Sequence, residues 1–119
     1  MAPARFWSHA DDLVGSSSIV IDRPKDSPHP RYTEFTYPLD YGYLKGTTSG
    51  DGEGIDVWVG SGPKTVVGLL CTVDLWKRDM EIKLLLGCSS EEIDRIQDFF
   101  TSLQLAFVVV LRDQAGIAC

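Results

Sequence analysis

Apolar residues recur with a helical period in two segments of the chain. The first is ARFWSHADDLV (4–14), and its apolar side would consist of Phe6, Ala10, Leu13 and Val14. The second is SSEEIDRIQDFFTSL (89–103), where serines precede two glutamates that suit the positive end of a helix. Its apolar stripe would consist of Ile93, Ile96, Phe99, Phe100 and Leu103. The pattern therefore predicts one short helix near the N-terminus and one longer helix near the C-terminus.

Alternation and β-branched runs elsewhere predict strands. The predicted strands are residues 18–22, 31–37, 55–60, 65–76, 80–87 and 106–112. The polar residues 77–79 would form a hairpin connection, and 23–30, which holds three prolines, would be a loop. The aromatic segment 38–46 would end in a turn, and 113–119 would be a loose tail. Such an arrangement predicts an α+β, mainly β protein, an antiparallel and partly closed barrel with the helices packed on it.

Length and charge narrow the class of protein. The chain has 119 residues and 44% hydrophobic residues, which predicts a single domain over 1–119. Its net charge is −6 and its bases are scattered, so no nucleic-acid partner is expected. Three cysteines without a CxxC pair argue against a zinc site or a disulfide framework. No signal-peptide pattern and no membrane-length apolar run is present, which predicts a cytoplasmic protein without a membrane partner.

The stretch DGEGIDVWV (51–59) places the carboxylates of Asp51, Glu53 and Asp56 at the start of an apolar strand. Glycines between them permit a bent loop that could aim all three at one point. Like charges 4 Å apart repel by about 4 kcal/mol at an effective dielectric of 20, so converging carboxylates would need a cation. Oxygen ligands favour Mg²⁺, Mn²⁺ or Ca²⁺. A solvated acidic turn is the alternative interpretation.

Further polar residues lie at the ends of the fourth and fifth predicted strands. Asp74 ends an apolar run, and Glu81 and Lys83 share one face of the returning strand. A hairpin at 77–79 would bring Asp74, Asp79 and Glu81 near one another. The alternative is a polar rim on the strand face, with Asp79 a solvated turn residue.

The segment YPLDYGY (37–43) and nearby bases could bind an oxyanion. Tyr37 and Tyr41 carry hydroxyl donors, and Arg31 and Lys83 could contact phosphate oxygens. Packing tyrosines and surface charges are the alternative interpretations. Together, the carboxylates, tyrosines and bases describe a pocket for Mg²⁺ and phosphate.

At these residues the sequence resembles the family I inorganic pyrophosphatases. The resemblance lies in IVIDRP (19–24), YPLDYGY (37–43) and DGEGIDVWV (51–59), and extends over residues 18–87. It implies an OB-like, five-stranded barrel core and hydrolysis of pyrophosphate to two phosphates by metal-activated water. It also implies Mg²⁺ or Mn²⁺ as the cofactor.

The resemblance assigns roles to individual residues. Its implied metal ligands are Asp51, Glu53, Asp56, Asp74 and Glu81, with Glu53 and Glu81 standing where the family has aspartate. Its implied catalytic residues are Asp56, Lys83 and Tyr41. Its implied substrate-binding residues are Arg31, Tyr37, Tyr41 and Lys83.

The chain also departs from that family. The hairpin that carries a phosphate-binding arginine is missing before TYP (36–38), and FFTSLQ (99–104) lacks the family's Tyr-Lys pair. Two alternatives therefore stay open, which are a metal-dependent hydrolase of another diphosphate or nucleotide and a non-catalytic pyrophosphatase-like binding module. Whether the chain forms a homo-oligomer is also open.

Overall fold

The computed structural model describes residues 2–113. The described part of the chain forms two helices and six strands, which confirms the predicted α+β, mainly β class. The elements in chain order are α1 (Ala2–Gly15), β1 (Ser18–Arg23), β2 (Asp40–Lys45), β3 (Ile55–Val59), β4 (Val66–Asp74), β5 (Asp79–Leu86), α2 (Ser90–Ser102) and β6 (Ala106–Leu111). Most of the predicted tail, 113–119, lies outside the described residues.

The strands form one sheet in the order β1-β2-β3-β5-β4-β6, so the sheet has six strands rather than the expected five. The hairpin of β4 and β5 lies between β3 and β6, and it is oriented so that β5, not β4, is the neighbour of β3. Consequently β3 and β5 run parallel, while every other neighbouring pair in this sheet is antiparallel. β1 and β6 stand at opposite ends of the order, and the sheet is not closed. Within residues 2–113, no helix is long and apolar enough to cross a membrane.

Residues 31–37 do not form the predicted strand. The segment folds back on itself in a turn where the Phe35 amide donates to the Tyr32 carbonyl at 2.9 Å. An isolated bridge pairs Pro28 with Thr36 across this turn. Tyr37 then enters the core and is only 7% exposed. The alternating pattern that predicted a strand arises instead from a compact loop, while the strand of this region is β2.

Helix α1 packs on one face of the sheet, but only part of its predicted apolar side is buried. Val14 is 4% exposed and Ala10 packs against the core, as predicted, whereas Phe6 is 50% and Leu13 is 40% exposed. Trp7, which was not predicted to be buried, is also 4% exposed. A polar contact fixes this rotation, because Asp11 accepts from the Val66 amide at 2.9 Å and from Arg112 at 2.8 Å. Burial would raise the pKa of Asp11, but these hydrogen bonds and the charge of Arg112 lower it.

Helix α2 covers the opposite face of the sheet. Its side chains Ile93, Ile96, Phe99 and Phe100 are buried against strand residues that include Trp58 and Leu85. The helix begins with a capping box in which Ser89 Oγ accepts from the Glu92 amide and Glu92 accepts from the Ser89 amide at 2.9 Å. Glu92 also accepts from the Ser61 amide at 3.2 Å, so one carboxylate joins the helix to the loop after β3.

Replacement of this carboxylate tests how α2 is anchored. Glu92→Ala is expected to lower the free energy of unfolding by about 1.5 kcal/mol at pH 7, since two backbone donors lose their acceptor. The hydrogen bond from the Ser89 amide, together with those from Ser61, lowers the pKa of Glu92 despite its burial. Its contribution is therefore fully present above the unfolded pKa of about 4.3, and is lost as the pH falls through the folded pKa.

Chemical denaturation of both proteins between pH 3 and pH 7 measures this difference, which should narrow below about pH 4. Glu91→Ala is the matched control, because Glu91 lies in the same turn with its side chain 84% exposed. Equal losses in the two variants would contradict the capping role of Glu92.

Candidate active site

Lys83 is the centre of a polar cluster on the α2 face of the sheet, and it is only 8% exposed. Its ammonium nitrogen donates to the Tyr41 hydroxyl at 2.7 Å, to Asp56 Oδ2 at 3.1 Å and to Glu81 Oε1 at 3.2 Å. Lysines are rarely buried unless they are paired. The cluster of Tyr41, Asp56, Glu81 and Lys83, hereafter the lysine cluster, combines four residues that the sequence had singled out.

The register of three neighbouring strands brings these side chains together. Tyr41 pairs with Trp58 across β2 and β3, and Val57 pairs with Leu84 across β3 and β5. Side chains alternate between the faces of a strand, so Tyr41, Trp58 and Asp56 share the face of Lys83. The parallel pairing of β3 with β5 therefore places Asp56 beside Lys83.

Gly42 allows β2 to sit close to β1 beside the lysine cluster. A Cβ at this position would lie 1.8 Å from the Val20 carbonyl oxygen, which no side chain can tolerate. The pairing of β1 with β2 shifts register between Ile21 and Arg23, and Arg23 is the residue that pairs with Tyr41. A glycine between the two tyrosines of YGY is thus required by backbone contact.

The pKa values of Lys83 and Tyr41 are both raised, for different reasons. Burial alone would lower the pKa of Lys83, but Tyr41, Asp56 and Glu81 together raise it. Burial raises the pKa of Tyr41 and outweighs the opposing charge of Lys83. At neutral pH the cluster therefore contains an ammonium group and a neutral hydroxyl group.

The two carboxylates of the cluster differ in their acidity. Burial raises the pKa of Asp56 more than Lys83 lowers it. Burial also acts to raise the pKa of Glu81, but there the charge and hydrogen bond of Lys83 prevail and the pKa is lowered. Asp56 is thus the more basic of the two, which is the property that a general base requires.

Asp51 and Glu53 lie outside the lysine cluster, on the exposed loop before β3. Asp51 accepts a short hydrogen bond from the Ser49 hydroxyl and another from the Glu53 amide at 2.9 Å. The Ser49 hydrogen bond is the main reason that the pKa of Asp51 is lowered. Both side chains are exposed, and the loop is closed by its own hydrogen bonds.

The hairpin of β4 and β5 holds the other predicted acidic residues. Asp74 accepts from the amides of Trp76 and Lys77 at 2.9 and 3.0 Å, so its carboxylate fixes the turn. Lys77 lies 3.8 Å from Asp79 and 3.7 Å from Glu81. Asp79 Oδ1 is buried and has no hydrogen-bond partner within residues 2–113.

Two cavities meet at Glu81. The larger, about 1050 Å³, lies between α1 and β5, is mostly apolar, and includes Asp51, Asp56 and Glu81 in its wall. The smaller, about 560 Å³, opens over Tyr41, Glu81 and Lys83, whereas Asp56 lines the larger cavity and not this one. In residues 2–113, no three carboxylate, histidine or cysteine side chains come close enough together to hold a metal ion.

The wall of the smaller cavity, hereafter the lysine cavity, contains both remaining predicted residues. Tyr37 packs 5.0 Å from the ring of Phe99, and Arg31 lies exposed at the rim. Among the wall residues that the sequence did not predict as part of a site are Trp58, Thr72 and Lys77. Trp58 is fully buried, and its indole N–H has no acceptor in the described chain. The alternation of DVW with Asp56 could have identified Trp58, but Thr72 and Lys77 carry no comparable signal.

Comparison with known proteins gives a likeness of structure but not of sequence. No protein-family model matches the chain, and no curated protein matches it significantly. A crystal structure of an inorganic phosphatase from Anaplasma phagocytophilum superposes with a TM-score of 0.59 over 82% of this chain and 85% of that one. The two chains share a fold. Their sequence identity is 19%, so the likeness is one of fold alone.

Proposed function

We propose that this protein hydrolyses inorganic pyrophosphate, bound as its magnesium complex, to two phosphates. The observation that carries the proposal is the lysine cluster, where a buried ammonium group meets a tyrosine hydroxyl and two carboxylates within 3.2 Å. The cluster opens to a cavity on the fold of a solved inorganic phosphatase. Binding of an anionic, metal-carrying substrate accounts for both signs of charge in one site.

The charges of the cluster favour a substrate that brings a cation. One ammonium and two carboxylates leave a net charge of −1, which repels a free pyrophosphate ion. Mg²⁺ is commonly held by one or two carboxylates together with substrate phosphates, and Asp56 and Glu81 match that donor set. When bound, the ion would supply charge neutralisation and a more acidic water.

Asp56 would accept the proton of the attacking water. Burial raises its pKa before any cation is bound, and Lys83 holds its carboxylate at 3.1 Å, in position to take that proton. Glu81 keeps its charge because its pKa is lowered, so it would balance Lys83 while Asp56 gains a proton. The different acidities of the two carboxylates thus assign them different roles.

Tyr41 would orient the phosphate groups. Its oxygen accepts from Lys83, its hydroxyl also hydrogen-bonds Asp56, and its raised pKa keeps its proton in place. Donation to a phosphate oxygen would replace the contact with Asp56. Arg31 and Lys77 at the rim would bind the outer phosphate oxygens. The unpaired indole N–H of Trp58 is a further donor in the wall. The phosphate groups would thus be bound by these donors, because the three N–H groups of Lys83 already donate to Tyr41, Asp56 and Glu81.

Phosphate release from pyrophosphate during a Mg²⁺ titration tests the proposal. We expect turnover that rises with Mg²⁺, stops when EDTA is added, and does not extend to 4-nitrophenyl phosphate, which lacks a phosphoanhydride bond. Folded protein that releases no phosphate at any Mg²⁺ concentration would contradict the proposal and would favour a non-catalytic binding module.

A further inference from the structure

The lysine cavity offers more room than pyrophosphate fills. Its volume of about 560 Å³ falls in the range of pockets that hold whole organic ligands. Lys83 and Tyr41 lie among aromatic wall residues, which are His29, Tyr32, Tyr37, Trp58, Trp76, Phe99 and Phe100. Phosphate oxygens need donors rather than aromatic faces, so this lining points to a second, planar group in the ligand.

Two opposed segments form the rim of the cavity, and each carries an exposed aromatic ring beside a base. The rim loop (28–36) carries Tyr32, 44% exposed, with the guanidinium of Arg31 5.9 Å from its ring centre. The hairpin tip (75–78) carries Trp76, 87% exposed, next to Lys77. All four of these side chains line the same cavity.

The rim loop is held in place from within. His29 Nδ1 accepts from the amides of Arg31 and Tyr32 at 3.0 and 3.1 Å, and its ring stacks on Tyr37 at 6.0 Å. The turn of the hairpin is likewise fixed by Asp74, which accepts from the amides of Trp76 and Lys77. Both aromatic rings are therefore presented by backbone that is already ordered, which reduces the entropy lost on binding.

We propose that the cavity also takes a nucleoside diphosphate, whose base stacks on Trp76 and Tyr32 while its diphosphate reaches the lysine cluster. Aromatic side chains with adjacent bases are the usual platform for nucleobases, because every base has a flat π-face. An exposed tryptophan at a cavity mouth gains contact area from such a ligand. The substrate class rests on the proposed function, since the diphosphate uses the same phosphate-binding groups.

The reaction of this ligand follows from the bond that it shares with pyrophosphate. Water adds to the terminal phosphorus and the phosphoanhydride P–O bond breaks, which gives a nucleoside monophosphate, inorganic phosphate and one proton. Asp56 would take that proton from the water.

Isothermal titration calorimetry with two non-hydrolysable probes tests the inference. The dissociation constant of each probe is measured in the presence of Mg²⁺. The probes are α,β-methylene-ADP and methylenediphosphonate, which differ only by the nucleoside. Trp76→Ala is expected to weaken binding of the nucleotide probe about tenfold relative to methylenediphosphonate, as expected for loss of one stacking partner. Leu75→Ala is the matched control, because Leu75 is 86% exposed on the same hairpin tip but does not line the cavity.

The outcomes separate this inference from the proposed function. The inference is supported if Trp76→Ala weakens binding of the nucleotide probe but not of the diphosphate probe, and Leu75→Ala weakens neither. This holds even if the wild type hydrolyses no pyrophosphate. Pyrophosphate turnover without nucleotide binding overturns the inference and leaves the proposed function standing. Equal weakening of both probes, or none, in Trp76→Ala also overturns it, since stacking would then contribute nothing specific.

Discussion

Asp56→Asn is expected to lower the rate of pyrophosphate hydrolysis about a thousandfold, the range of a lost general base. Asparagine keeps the shape of the side chain and can still accept from Lys83, but it cannot take a proton from water. The raised pKa of Asp56, caused by burial, marks it as the basic member of the lysine cluster. Initial rates of phosphate release at saturating substrate measure the effect on kcat.

The control for this replacement is Asp98→Asn, an exposed aspartate on α2 that lies outside both cavities. It should leave the rate unchanged, and circular dichroism should show both variants folded. A folded Asp56→Asn protein that keeps more than about a tenth of the wild-type rate would remove Asp56 from the role of base.

Lys83→Met is expected to lower the free energy of unfolding by about 3 kcal/mol. The replacement fills a similar volume but leaves Asp56 and Glu81 facing each other without the ammonium group between them. Their side chains are 28% and 19% exposed, so water screens part of the repulsion and the loss falls at the low end for a broken buried pair. Urea denaturation at pH 7 measures the change.

Lys77→Met is the matched control for this loss. Lys77 also faces Glu81, at 3.7 Å, but its side chain is 63% exposed, so the expected cost is under about 0.5 kcal/mol. Adding Glu81→Gln to Lys83→Met should recover part of the stability, because one of the two opposed charges is removed. Equal losses in Lys83→Met and Lys77→Met would show that the cluster contributes nothing beyond a surface ion pair.

The sequence located part of the lysine cluster. Alternation along β5 put Glu81 and Lys83 on one face, and the run after Asp56 identified β3. Tyr41 and Asp56 were grouped with Lys83 by the family resemblance, because periodicity does not encode the pairing of β3 with β5. The hairpin of β4 and β5 followed from the polar residues 77–79. The roles of these side chains in binding and catalysis stay predictions.

Other features depended on contacts that no local pattern encodes. Either strand of the β4–β5 hairpin could lie beside β3, and only β5 would run parallel to it. Burial of Leu85 beside Trp58 stabilises the observed arrangement, in which β5 is the neighbour of β3. The rotation of α1 depends on Asp11 meeting a residue far along the chain, Arg112, which helical periodicity cannot show. Likewise, 31–37 alternates as a strand would, but it closes into a loop around the buried Tyr37.

Binding of the magnesium complex of pyrophosphate at the lysine cluster can be tested directly by crystallography. The protein is crystallised with Mn²⁺ in place of Mg²⁺ and with imidodiphosphate, because Mn²⁺ can be located by its anomalous scattering. We expect a metal peak at the carboxylates of Asp56 and Glu81, with the diphosphate analogue in contact with Tyr41. An analogue bound away from Tyr41 and Lys83, or a metal held only by Asp51 and Glu53, would contradict it.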